Sequence, residues 1–250
     1  MKVGNVKSSV SRAVVAASVT VALGLTAACG GDKDSGGSGS DDKKSSGQQA
    51  KQKPAEGKPA EKKSTALSAA DLEKAVLAKG DLKGYKVEKM SAADMPSQTV
   101  PADPAACQPF ADMFMFATQP SAKARVGRTM TGPDELDATV ISLALLAHEQ
   151  PEAEKVMGDL RAATKNCTAY EHADSKYRDV AALPTPKAGD EAVSYKVVGL
   201  IEGQKTPMSF TVVRSGSTLA AFYSINLLKP KKFGVPAEIV EAQVKKLQDA

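Results

Sequence analysis

A chain of 250 residues with a formal net charge of +4 has room for one or two domains, and its lack of Trp with only 4% aromatic residues calls for an aliphatic core. The charge is unevenly spread: Lys2, Lys7 and Arg12 supply +3, residues 29–66 supply +2 from eight Lys against six Asp or Glu, and −1 is left for residues 67–250. Nucleic-acid binding needs a basic face, so this balance argues against a nucleic-acid partner.

The positive start is followed by Ala13–Ala28, 16 residues without a charge, which is short of the roughly 20 that a membrane-spanning helix needs. Residues 1–28 therefore read as a signal peptide, and the lack of paired arginines points to the general secretion route. The run ends Leu25-Thr26-Ala27-Ala28-Cys29. These five residues resemble the lipobox of bacterial lipoproteins, with Leu one place early and Thr26 in its usual position. The resemblance implies cleavage before Cys29 and a covalent lipid on its sulfur. Several acyl chains hold a membrane far more durably than one. The expected location is the extracytoplasmic face of the cell membrane, lipid-anchored.

Residues 30–66 contain no aromatic and no large aliphatic residue and are dominated by Gly, Ser, Lys, Asp, Gln and Pro. Such a stretch buries too little apolar surface to offset its conformational entropy. It is expected to be a disordered tether, about 35 Å between its ends. Residues 67–250 remain as one globular domain.

In that domain Ser68-Ala-Ala-Asp71 predicts a helix start, with Leu72 and Val76 on one face and Gly80 as its stop. A short strand follows at Tyr85–Val87. Asp103-Pro104 predicts a second helix running through Phe116. Residues 122–130 alternate as a half-buried strand, and after Gly132-Pro133-Asp134, Leu136–Ala147 is apolar on both faces, as a central strand is. Pro151 opens a long helix whose stripe is Val156, Leu160, Ala163 and Cys167. Residues 167–188 give a poor signal. Val193–Ile201 and Met208–Arg214 read as strands, Ser215-Gly216 as a hairpin loop, and Leu219–Leu227 as the return strand. Pro236 starts a last helix with Ile239, Val240, Val244 and Leu247 inward. The class expected is α+β: an antiparallel sheet of about five strands with helices packed on one face. Once Cys29 is set aside, Cys107 and Cys167 form the leftover pair of an exported chain, and one disulfide is expected between them.

Several motifs occur in order: Asp81-Leu-Lys-Gly-Tyr85, Cys107-Gln-Pro109, Cys167 after a long helix, Gly189-Asp190-Glu191, Val213-Arg214-Ser-Gly216, and a closing amphipathic helix. With them the domain resembles the sensor-type domains of actinobacterial lipoproteins, related to the extracellular domain of PknH-type receptor kinases. The resemblance implies helices over an antiparallel sheet around a cleft, held by disulfides. It assigns no catalytic or ligand residue here.

Enzyme chemistry needs a constellation of groups. The two histidines, His148 and His172, are far apart, no HExxH, phosphate-binding Gly loop or G-x-S-x-G occurs, and the cysteines lack metal spacing. No enzyme, metal or cofactor is expected beyond the lipid on Cys29, and His148 reads as a surface residue at a helix start. Two functions then compete. One is a ligand-binding or sensor module holding a small molecule or lipid in a cleft. The other is an interaction lipoprotein that docks an envelope protein. The candidate pocket wall or partner surface is the aromatic patch Phe110, Phe114 and Phe116, with Arg214 a candidate for an anionic group. Oligomeric state is open.

Overall fold

The computed structural model describes residues 65–250 apart from 97, 135–137 and 202, and the side chain of residue 201 is also left aside. The leader, Cys29 and residues 30–64 lie outside the described residues.

Helix α1 (Ala69–Ala75) starts as its sequence predicts: the Ser68 hydroxyl accepts from the Asp71 amide and donates to the Asp71 carboxylate. It ends earlier than expected, well short of Gly80. The cause is tertiary. Gln243 of helix α4 (Ala237–Gln248) donates to the Ala75 carbonyl and accepts from the Leu77 amide, Lys246 of the same helix donates to the Val76 carbonyl, and Arg128 donates to the Leu77 carbonyl. Those side chains satisfy the helix end that another turn would otherwise have satisfied.

Nine strands form one sheet, not about five. They are β1 (Lys86–Lys89), β2 (Ala102–Asp103), β3 (Ala124–Thr131), β4 (Thr139–Ala147), β5 (Tyr170–His172), β6 (Ser175–Ala182), β7 (Glu191–Ile201), β8 (Gln204–Ser215) and β9 (Thr218–Asn226), in the order β1-β3-β4-β9-β8-β7-β6-β5-β2, all antiparallel. The strands absent from the sequence reading lie at the β2 end, where β6 alternates poorly between buried and exposed positions. A register shift between Arg178 and Ala181, with Asp179 at φ 53°, breaks the period of two there. The β5–β6 turn is Ala173-Asp174, both at positive φ, without the Asn or Gly by which such turns are usually recognised.

Helices cover both faces of the sheet, which corrects the one-face expectation. Helices α2 (Gln108–Met113) and α3 (Gln150–Asn166) pack on one face against Ala144, Leu146, Tyr195, Phe210, Val212 and Ala221. Helices α1 and α4 pack on the other, against Met130, Leu143, Leu145, Val213, Ala220 and Phe222. The reason stands in β4 itself: Leu143 and Leu145 point one way, Ala144 and Leu146 the other, and all four are buried. A strand apolar on both sides needs cover on both.

Cys107 and Cys167 form the expected disulfide, their Cα atoms 5.2 Å apart, joining the 3-10 turn Ala105–Cys107 before α2 to the end of α3. Ala66 already packs on the α1/α4 core and the Thr65 carbonyl accepts from the Ser217 hydroxyl, so the domain begins slightly before residue 67. Among the described residues no helix is long and apolar enough to cross a membrane.

The bridge closes a loop with a sequence separation of 60, which in the chain-entropy account is worth about 4 kcal/mol. The double variant Cys107→Ala/Cys167→Ala is expected to unfold at lower denaturant, its stability down by about that amount, in equilibrium urea titrations.

Candidate functional site

Most of the chain's few aromatic rings gather on the α2/α3 face. Tyr195, Phe210 and Tyr223 sit side by side on β7, β8 and β9 in register, with centroids 4.9 Å apart at each step. Phe110 packs at 4.0 Å on Tyr195, Phe114 lies edge-on to Phe210 at 4.8 Å, and Tyr177 bridges Phe114 and Tyr170, each at 4.9 Å. Phe110 and Phe116 are buried and Phe114 is partly buried against them. The patch is therefore core: the rings fill the space between α2 and the sheet, and they are not an exposed partner surface. In the sequence the Tyr195–Phe210–Tyr223 row needed the pairing register, while Tyr170 and Tyr177 stand on strands with no readable pattern.

Polar groups are embedded in this aromatic layer. Asp112 is buried on α2, and burial raises its carboxyl against two smaller opposing effects, a hydrogen bond from Gln108 Nε2 at 2.6 Å and the nearby His172 ring. His172 is also buried, and desolvation holds its imidazole below the usual histidine range. The hydroxyls of Tyr170 and Tyr195 are buried and make no hydrogen bond. Desolvation pushes the Tyr195 hydroxyl far up, and Tyr170 and Asp112 add to the same effect. An unpaired buried hydroxyl costs about 1–3 kcal/mol, so packing alone does not account for two of them. Asp112 was not singled out from sequence; the signal available was a lone carboxylate between Phe110-Ala111 and Met113-Phe114.

A groove of about 240 Å³ runs between α2 and α3, lined by Gln108, Asp112, Met113, Thr118, Lys155 and Leu160 among others; of the buried polar groups above, Asp112 alone lines it. Gln108 is held for it: besides Asp112 it bonds the Val100 carbonyl and the Ala102 amide, and its neighbour Cys107 carries the disulfide. A wider hollow of about 610 Å³ over β5 and β6, lined by Tyr170, Glu171, Lys176, Tyr177 and Arg178 among others, is open and polar. Among the described residues no three His, Cys, Asp or Glu side chains could hold a metal ion.

No protein-family model matches the chain, and no curated protein matches it. Solved structures similar to the chain include two from mycobacteria. One is the extracellular domain of PknH from Mycobacterium tuberculosis, at 9% identity and a TM-score of 0.49, covering 74% of this chain and 97% of that one. The other is an Rv0999 ortholog from Mycobacterium smegmatis, at 12% identity and 0.38, covering 72% and 95%.

The ordered sequence motifs turn out to be structural joints. Arg214 is not at the groove. Its Nε donates to Glu191 at 2.6 Å and its Nη1 to Asp190 and to the Gly216 carbonyl, both at 2.9 Å, while the Asp190 carboxylate also takes the Gly216 amide. Arg161 of α3 pairs with the same Glu191. Gly189, at φ 65°, lies so close that a Cβ would run into the Arg214 carbonyl. The guanidinium already holds two carboxylates, so it is engaged in tying β7, β8 and α3 together. Likewise Asp81 takes the Ala78 amide and Lys246, and Tyr85 donates to Glu238, joining the α1 end to α4.

His148, expected on the surface, is fully buried at the start of α3. Its Nε2 lies 3.3 Å from Thr118 Oγ1, its Nδ1 has no hydrogen-bond partner, and Glu152 stands 4.0 Å away, paired with Lys123. With Nδ1 unanchored the ring is not oriented as a general base. Burial brings its pKa down to about 4, with Glu152 opposing and Lys123 assisting. The folded chain thus holds the ring neutral while the unfolded chain protonates it at 6.5, so stability falls as pH drops from about 6.5 to about 4. Across that window the native chain is expected to lose about 3 kcal/mol more than His148→Gln, measured as paired urea titrations at each pH.

Proposed function

We propose that the chain is a lipid-anchored, non-enzymatic, extracytoplasmic sensor-type module, tethered through Cys29, whose α2–α3 groove takes a small ligand. The observation that carries the ligand reading is the buried Asp112 carboxylate lining the groove, with two unpartnered hydroxyls, those of Tyr170 and Tyr195, buried in the core on the same face of the sheet. Buried polar groups are normally satisfied, and those left over mark sites where a guest supplies the missing partner. The groove is smaller than drug-sized pockets, which span about 300–1,000 Å³. The guest is therefore a small molecule with an apolar body along Met113 and Leu160 and a hydrogen-bonding head toward Asp112 and Gln108. No cofactor is part of this reading apart from the lipid on Cys29, and that anchoring rests on the Leu25–Cys29 pattern.

Native mass spectrometry of the chain taken from the membranes of its own cells tests both parts. The expected spectrum shows an N-terminal acylated Cys29 and a non-covalent adduct that is absent from Met113→Trp, which fills the groove. An unmodified N-terminus contradicts the anchoring. A chain that carries no adduct, or one retained equally in Met113→Trp, contradicts the groove.

A further inference from the structure

Beyond the end of β9 the chain reads Asn226-Leu-Leu-Lys-Pro-Lys-Lys232, with no acidic residue before Glu238. Leu227 and Leu228 are 56% and 71% exposed, among the few large apolar side chains left in water, and Lys229 and Lys231 beside them are exposed as well. The loop is held at both ends. The buried Asn226 donates to Thr139 and accepts from the amides of Leu228 and Lys229 at 3.1 and 2.6 Å. The Lys232 amide closes a turn onto the Lys229 carbonyl, and the Phe233 and Gly234 carbonyls are pinned by Ser209 and Ser224. The leucines are thus presented on a preformed support, and little ordering remains to oppose their burial. The β7–β8 hairpin reaches the same end of the sheet and adds a half-exposed Leu200 and an exposed Lys205, with Glu202 at its turn by sequence.

We infer that this end of the sheet, centred on Leu227–Lys231, rests on an anionic lipid surface, the leucines entering the headgroup boundary and the lysines meeting lipid phosphates. Charge complementarity selects this occupant: two adjacent leucines followed by lysines and no carboxylate match a negatively charged, partly apolar surface. The inference is independent of the groove. Covalent reach permits it. The described domain starts at Thr65, whose carbonyl bonds Ser217 at the opposite end of β9, about 27 Å away at about 3.4 Å per residue. Residues 30–64 can extend to roughly 120 Å, several times that span.

The test uses the chain from residue 29 onward, carrying Cys29→Ser and therefore no lipid, in sedimentation with vesicles. Vesicles of equimolar phosphatidylcholine and phosphatidylglycerol are expected to bind it, weakening with salt, and pure phosphatidylcholine vesicles are expected to bind it about tenfold less or weaker still. Leu227→Asp/Leu228→Asp and, separately, Lys229→Glu/Lys231→Glu are each expected to weaken binding to the anionic vesicles by about tenfold or more while keeping the parent's melting temperature. Equal binding by parent and both variants would place any affinity in the lysines of residues 30–64 and overturn the inference. So would no binding by the parent, or a monomer–dimer equilibrium that the leucine pair controls, which would assign the loop to a second copy of this chain.

Discussion

The fold depends on strands that are apolar on both faces. β4 carries Leu143 and Leu145 toward one side and Ala144 and Leu146 toward the other, and β8 and β9 repeat the pattern with Val212 against Val213 and Ala221 against Ala220. Such strands lose stability wherever water reaches either side, at about 25 cal/mol for each Å² of apolar surface left uncovered. Two helices on each face answer that constraint. The α1/α4 side is sealed by side chain to backbone bonds from Gln243, Lys246 and Arg128, while the α2/α3 side is clipped by the disulfide. The two sides differ in content. One is largely aliphatic, with Phe222 from the sheet, and the other collects most of the aromatic rings and the two unpartnered tyrosine hydroxyls.

That division separates structure from function. On the α1/α4 side Asp81 and Lys246 are paired, and at the Arg214–Asp190–Glu191 joint all three charged groups are engaged with one another. The α2/α3 side does not close in the same way: burial raises the Asp112 carboxyl where it lines a groove, and two tyrosine hydroxyls of the same core have no partner. The ordered sequence motifs that suggested a sensor-type domain fall mainly on the joints. They mark how the sheet is locked, and the residues that would meet a ligand lie outside them, apart from Gln108 beside Cys107.

Much of the sheet's centre was legible because its signals are local or periodic. The two-faced run ending at Ala147, the alternation of Val193, Tyr195 and Val197, the stripe on α3 and the Cys107–Cys167 pair all follow from spacing and composition. The one-face helix arrangement is contradicted by the Thr139–Ala147 strand itself, since a strand apolar on both sides demands two covers. The β5 and β6 strands were not legible, because a bulge at Asp179 and a turn built from Ala173-Asp174 remove the two signals that sequence offers. The end of α1 and the burial of His148 depend on residues more than a hundred positions away or on a loop folding over the ring, which no window of sequence contains.

On the ligand reading, the unpartnered hydroxyls buried in the aromatic core are kept for a guest and not for the fold. Denaturant unfolding of the ligand-free chain carrying Tyr195→Phe tests it most directly. If the hydroxyl has no partner inside the protein, deleting it leaves stability unchanged or raises it by up to about 1–3 kcal/mol. A loss of 1 kcal/mol or more would mean that the hydroxyl is already bonded in the empty domain, and the case for a ligand at Asp112 and its tyrosines would fail.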